Sequence, residues 1–253
     1  MRGNWREFSD SDAVAKALAA EVATKLTEAI GARGRAVLAV SGGTTPVLFF
    51  RELSRAEIEW GKVVVTLVDE RFVSPMHERS NERLVRGNLL VDRAASARFV
   101  ALYSDAGSVK KAAEWAAEAV AGLLPMDVVV LGMGTDGHTA SLFPDAENVE
   151  VLLKPPAPSR ASPEPPLPPR GVEERLIADV VLPVHAPSAG EARLTLSLGV
   201  ICKAGTVFLH IEGARKRDVL ARASAEKLPI AAVFAAAATP VLTYWAPQKE
   251  DRA

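Results

Sequence analysis

The sequence predicts an α/β fold: a three-layer, Rossmann-like, mostly parallel sheet with helices on both faces and room for a small satellite subdomain. Three observations carry that expectation. Five short apolar runs, at 36–40, 63–68, 127–131, 206–211 and 240–244, are rich in Val and mostly continuous rather than alternating, as strands covered on both faces are. Helical patterns lie between several of them, at 46–53, 80–90, 108–121 and 214–223, and strand alternating with helix implies crossovers and a parallel sheet. The third observation is length, since 253 residues bury a substantial core as one domain, 1–253.

Taken in order, the chain opens on MRGNWREFSDSD, which has no apolar segment of the signal-peptide kind. Residues 10–31 follow as an amphipathic helix. Asp10 or Asp12 serves as its cap, Val14, Leu18, Val22, Leu26 and Ile30 recur every four residues, and Gly31 is placed to stop it. The strand and helix alternation then runs on until residues 154–170. There the chain carries eight of its 17 prolines, which disfavours helix and interior strand and predicts an extended loop. That loop reads either as a tolerated surface insertion or as a flap near a site.

Composition narrows the function. Lys and Arg total 30 against 31 Asp and Glu, so nothing supports a nucleic-acid surface, though a local pocket could still hold an anion. No stretch is long and apolar enough to span a membrane. Cys202 is the sole cysteine; it reads as a small buried hydrophobe and fits a reducing, cytoplasmic setting. His77, His138, His185 and His210 show neither the spacing of a helical metal pair nor a Cys cluster, so no metal is expected.

The polar residues cluster where such a fold binds ligands, just past the carboxyl ends of the strands. The first strand runs into Ser41-Gly42-Gly43-Thr44-Thr45-Pro46, and the second into Asp69-Glu70-Arg71. The third runs into Gly132-Met133-Gly134-Thr135-Asp136-Gly137-His138, and the fourth into Glu212-Gly213-Ala214-Arg215-Lys216. In the first turn, Thr45 as cap and Pro46 at the first helical position would leave the amides of Gly42, Gly43 and Thr44 facing an anion such as phosphate. The same residues would equally serve an ordinary tight turn. His138 is a residue suited to taking a proton near neutral pH, with a structural loop histidine as the alternative; the other three histidines read as structural.

These segments resemble a known family. VSGGTTP, VDERFVSPMHERSN and LGMGTDGHTASLFP are similar to signature segments of the 6-phosphogluconolactonases, within the wider glucosamine-6-phosphate deaminase/6-phosphogluconolactonase family. ARLTLS, HIEGARKRDVL and LPIAAVF resemble its later blocks, so the likeness runs from about residue 37 to 245. Thr44 departs from the usual Ser, and Ser197 from the commoner Thr; both keep a hydroxyl. The resemblance implies a sugar-phosphate isomerase/deaminase-like fold and hydrolysis of 6-phospho-glucono-δ-lactone to 6-phosphogluconate in the oxidative pentose phosphate pathway. It implies no cofactor, a small-molecule substrate as the partner, and a monomer or weak dimer. The deaminases of the family carry a Glu five residues after the His; Phe143 stands there and cannot transfer a proton. A non-catalytic sugar-phosphate sensor is the remaining alternative, and it would not need a poised base.

Roles follow on that reading. His138 is the general base for water, and Asp136 orients it or bonds its own loop. Arg71 receives the charge that develops on the carbonyl oxygen, with Asp69 as its partner. Ser41, Gly42, Gly43 and Thr44 form the phosphate turn, with Arg193 and Lys216 as its cations; Lys203 and Arg215 are close enough in sequence to trade roles with them.

Overall fold

The computed structural model describes residues 4–155, 179–248 and 251; the proline-rich stretch, beyond its first two residues, lies outside them. Helix α1 (Ser11–Arg33) begins where Asp10 accepts a hydrogen bond from the Ala13 amide, which satisfies one of the orphan donors of a helix start. It runs past Gly31 and closes at Gly34 instead. Tertiary packing explains the difference, since Ala29 and Ile30 are buried in the core and hold the last turn helical.

In chain order the strands are β1 (Trp5–Glu7), β2 (Ala36–Val40), β3 (Val63–Leu67), β4 (Asp69–Arg71), β5 (Arg98–Phe99), β6 (Val128–Leu131), β7 (Val181–Val184), β8 (Arg193–Leu196), β9 (Thr206–Glu212) and β10 (Leu242–Ala246). The helices after α1 are α2 (Val47–Ser54), α3 (Asn81–Asn88), α4 (Val109–Ala121), α5 (Val149–Leu152), α6 (Leu198–Cys202), α7 (Ala214–Arg222) and α8 (Pro229–Ala236). Seven strands form one sheet in the order β1-β10-β9-β6-β2-β3-β5, and every neighbouring pair is parallel. Each residue of β2 and β6 is buried, as the continuous apolar runs require of strands covered on both faces. The last strand lies two residues later than the apolar run at 240–244 placed it, because Pro240 has no N–H to give a ladder.

A second sheet, β4-β8-β7, is antiparallel and was not legible in the sequence. Asp69-Glu70-Arg71 is therefore a strand and not merely the loop after one. Its three charged residues show no apolar alternation, and its partner β8 lies far away in the chain, with Asp69 opposite Thr195. Pro183 sits in β7, an edge strand, where a missing amide is tolerated. Ser197 follows β8 and caps α6 through the Val200 amide, so the hydroxyl kept at that position has a structural use. Cys202, the last residue of α6, is buried, and burial pushes its thiol up to about 12.

Glu70 joins the small sheet to α3. Its carboxylate is fully buried and accepts from the amides of Arg71, Asn81 and Glu82 at 2.7–2.8 Å and from the Ser80 hydroxyl at 3.1 Å. Burial raises its pKa, and the three amides act against that rise. The first turn of α3 is thereby locked, and Asn81 donates from Nδ2 to the Asp69 carbonyl at 2.9 Å. The Asn81 carboxamide then packs so closely on Gly42 that a Cβ there would overlap it.

Two stability predictions follow from this junction. Glu70→Ala strands three buried amide donors, so urea unfolding should show a loss of about 3 kcal/mol or more; a loss under about 1 kcal/mol would remove Glu70 from its central role. Gly42→Ala should cost about 1–3 kcal/mol through overpacking. Adding Asn81→Ala makes room for the new methyl, so the double variant should be more stable than the sum of the two single losses; strict additivity would refute the contact.

Candidate active site

The carboxyl ends of β2, β3, β6 and β9 converge on one cavity of about 230 Å³. Sheet order explains why it lies there. From β2 the chain moves to β3 on one side, whereas after β6 it returns as β9 on the other, so the loops after β2 and β6 part and leave a crevice. Ser41 stitches the two loops together. Its Oγ accepts from the Gly132 amide at 3.0 Å, and its own amide donates to the Val130 carbonyl at 3.0 Å.

From the first loop, Ser41, Gly42, Gly43 and Thr44 all reach the cavity wall. The predicted cap does not form. Pro46 occupies the cap position with φ −79° and no side-chain hydrogen bond, because its ring already sets a helical φ and it has no acceptor to offer. The Thr45 hydroxyl is instead 3.5 Å from Lys216 Nζ, which donates to it. Lys216, from α7, is part of the same wall. No carboxylate among the described residues lies within ion-pair distance of it. Burial lowers its pKa, against an opposing pull from Glu212. A half-buried ammonium without an ion partner beside an uncapped helix start is an arrangement suited to an anion.

From β4, Asp69 and Arg71 line the cavity and Glu70 does not, as the two-residue period of a strand dictates. The Asp69 carboxylate accepts from the Ser141 hydroxyl at 2.7 Å. Arg71 Nη1 donates to the Arg79 carbonyl, and its Nε is buried without a protein partner.

The loop after β6 carries His138. Its Nδ1 is 2.6 Å from Asp136 Oδ1, and its amide donates to the same oxygen at 3.1 Å. Burial works to raise the Asp136 pKa, but the hydrogen bond and charge of His138 prevail and hold it below the ordinary carboxylate value. Gly134 allows this arrangement: a Cβ there would overlap both the imidazole and the Asp136 carboxylate. The Gly134 amide donates to the His138 carbonyl at 2.9 Å, closing the loop on itself. Ala140, two residues on, has a left-handed φ of 50°, a strained value for a residue with a Cβ. The Phe143 ring lies 4.3 Å from the imidazole, centroid to centroid.

Two predicted residues fall elsewhere. Asp136 is not part of the cavity wall and meets it only through His138. Arg193, on β8, lies opposite Arg71 in the small sheet and is not part of the cavity wall. It is 6% exposed, donates from Nη2 to the Ala189 carbonyl at 2.8 Å, and has Glu191 Oε1 at 3.2 Å. Burial, and then the charge of Arg71, lower its pKa. Lys203 and Arg215 do not line the cavity either.

Sequence reasoning also passed over Asn81, Ser141 and His210. Asn81 and His210 line the cavity, and His210 is 2% exposed with Nε2 at 3.2 Å from Glu212 Oε1, a contact without hydrogen-bond alignment. Only strand register could have revealed His210, two residues before the end of β9. Among the described residues no three His, Cys, Asp or Glu side chains gather as a metal-ligand set, and no helix is long and apolar enough to cross a membrane.

The chain matches known proteins over nearly its whole length. A family model described as glucosamine-6-phosphate isomerases/6-phosphogluconolactonase covers residues 9–245. A 6-phosphogluconolactonase of Rhizobium meliloti (strain 1021) is 49% identical over 98% of this chain and 100% of its own. Another from Pseudomonas aeruginosa is 40% identical over 92% of this chain and 90% of its own. The crystal structure of a 6-phosphogluconolactonase from Shewanella baltica OS155 superposes with a TM-score of 0.84 at 36% identity, covering 96% of this chain and 97% of that one. With its parallel sheet, its switch-point cavity and its signature loops, this chain belongs to the glucosamine-6-phosphate isomerase/6-phosphogluconolactonase family.

Proposed function

We propose that this chain is an enzyme that hydrolyses 6-phospho-D-glucono-1,5-lactone to 6-phospho-D-gluconate, the second step of the oxidative pentose phosphate pathway. The observation that carries the reading is the union in one cavity of an aspartate-held imidazole, a guanidinium and a half-buried lysine. Full-length relatives named 6-phosphogluconolactonase support it.

In the mechanism we infer, Asp136 takes the hydrogen bond from Nδ1–H of His138 and so leaves the Nε2 lone pair for water, the tautomer a general base requires. Water adds to the lactone carbonyl as Nε2 takes its proton. Arg71 offers its guanidinium to the oxygen that becomes negative. As the tetrahedral intermediate collapses, the ring C–O bond breaks and the imidazolium returns the proton to the departing oxygen. Asp69, held by Ser141, is assigned to positioning Arg71 and the sugar. Lys216, with the amides and hydroxyls of Ser41, Gly42, Gly43 and Thr44, is assigned to the phosphate. Arg193, opposite Arg71 in the small sheet, is kept as a further candidate cation for it. Neither a metal nor an organic cofactor enters any step. We place the enzyme in the cytoplasm, acting on a small molecule as a monomer or weak dimer.

Two kinetic predictions test the assignment. A base must be neutral to take a proton, so kcat/KM should rise with pH on the acid side and then level off. Asp136 is held below the ordinary carboxylate value, so it stays ionised over this range and adds no second limb. His138→Asn should remove about two to four orders of magnitude in kcat with little change in KM; a folded variant within threefold of the parent passes the role to Asp69. Phosphate binding through a charge-assisted site is worth on the order of 2–3 kcal/mol, so unphosphorylated gluconolactone should show kcat/KM lower by roughly 100-fold. Lys216→Ala should narrow that gap, and equal kcat/KM for the two lactones in the parent would remove the phosphate site.

A further inference from the structure

We propose that Phe143 is a positioning residue for the reaction: its ring, itself held by Arg193, fixes the plane of the His138 imidazole. The inference rests on the reading of His138 as the base. The hydrogen bond from Nδ1 to Asp136 Oδ1, 2.6 Å long, anchors one atom of the imidazole and leaves the ring free to swing about that bond. A face contact removes the remaining freedom. Phe143 supplies one, with centroids 4.3 Å apart and planes tilted by 32°, close enough for the ring to limit rotation of the imidazole. Gly134 lets the imidazole settle against backbone next to it.

Phe143 is 5% exposed, and a phenyl ring neither gives nor takes a proton, so what it contributes here is shape. Its own position is defended. The guanidinium carbon of Arg193 lies 5.9 Å from the Phe143 centroid, within reach of a cation–π contact. Arg193 is in turn anchored by the Ala189 carbonyl and Glu191. The buried arginine thus closes a stack that ends on the imidazole. Misplacing a catalytic group by about 1 Å costs up to about 100-fold in rate, which is ample reason to clamp it.

The test uses the full chain, with histidine-selective NMR and steady-state kinetics on Phe143→Leu, Phe143→Tyr and Arg193→Met. In the parent, the His138 ring protons, assigned by their absence from His138→Asn, should be moved upfield by the ring current of Phe143. Phe143→Leu should lose that shift and about 10-fold in kcat while KM stays within threefold, and Phe143→Tyr should recover both. Arg193→Met should move the same signals and lower kcat less. An unshifted His138 signal in the parent overturns the proposal, and does so even if Phe143→Leu fails to fold. So does a folded Phe143→Leu with parental kcat, or a Phe143→Tyr as impaired as Phe143→Leu. If the parent hydrolyses no lactone, the function reading fails on its own, and the ring-current shift still decides the stack.

Discussion

Glu70 carries a charge into the protein with no exposure to water, and burial of that kind is tolerable only when donors surround the carboxylate. Four do: the Ser80 hydroxyl and the Asn81 and Glu82 amides at the start of α3, and the Arg71 amide of β4 itself. A carboxylate in that place also meets the positive end of the helix dipole. The consequence reaches well beyond α3. With Glu70 committed to one side of β4, strand geometry sends Asp69 and Arg71 to the other side, and that side is the cavity. Asn81, fixed by the same junction, presses on Gly42 and so sets the turn after β2. Loosening one buried acid would therefore disturb a guanidinium, a carboxylate and a glycine turn together.

The cavity combines two electrostatic settings that a single surface could not offer. Around Lys216 the chain leaves a half-buried cation without an ion partner among the described residues, a condition that favours a ligand anion. Around His138 it does the reverse, setting a carboxylate against an imidazole and protecting the pair with an aromatic ring. One setting suits an anion and the other suits a proton transfer. Both depend on backbone that brings separate loops close, and the parallel sheet provides it by turning its strands in opposite directions at β2 and β6.

The small antiparallel sheet supports the site more than it extends the core. β4 contributes Asp69 and Arg71 directly. β8 contributes Arg193 and Thr195, and Thr195 Oγ1 accepts from the Ser141 amide at 3.2 Å. Ser141 then reaches Asp69. The family-like segment after His138 is thus tied at its middle to the strand that holds Arg71, so the imidazole and the guanidinium share one frame. That sharing gives a physical reason why residues with no access to substrate, such as Ser141 and Phe143, sit inside a signature segment.

The sequence by itself determined the local and repetitive features. Continuous Val-rich runs specified the central strands to within a residue or two, helical spacing specified the main helices, and glycine-bounded polar turns marked the loops that meet at the cavity. His138, Asp136, Lys216 and the Ser41–Thr44 turn were legible because each lies beside a clear strand end. Only the tertiary structure decided what depends on distant pairing. β4 is three charged residues with no pattern to read, and it becomes a strand because β8, more than a hundred residues later, lies beside it. Arg193 was read as a phosphate cation from the resemblance alone, and the register of β8 against β4 is what sets it opposite Arg71, with the Ala189 carbonyl and Phe143 as its neighbours. His210 looked structural, and the depth of β9 brings it to the cavity wall. Thr45 looked like a cap, but Pro46 took that position and left the hydroxyl to Lys216. Side-chain direction in a strand follows from its partners, and those are chosen by the whole fold rather than by neighbours in the chain.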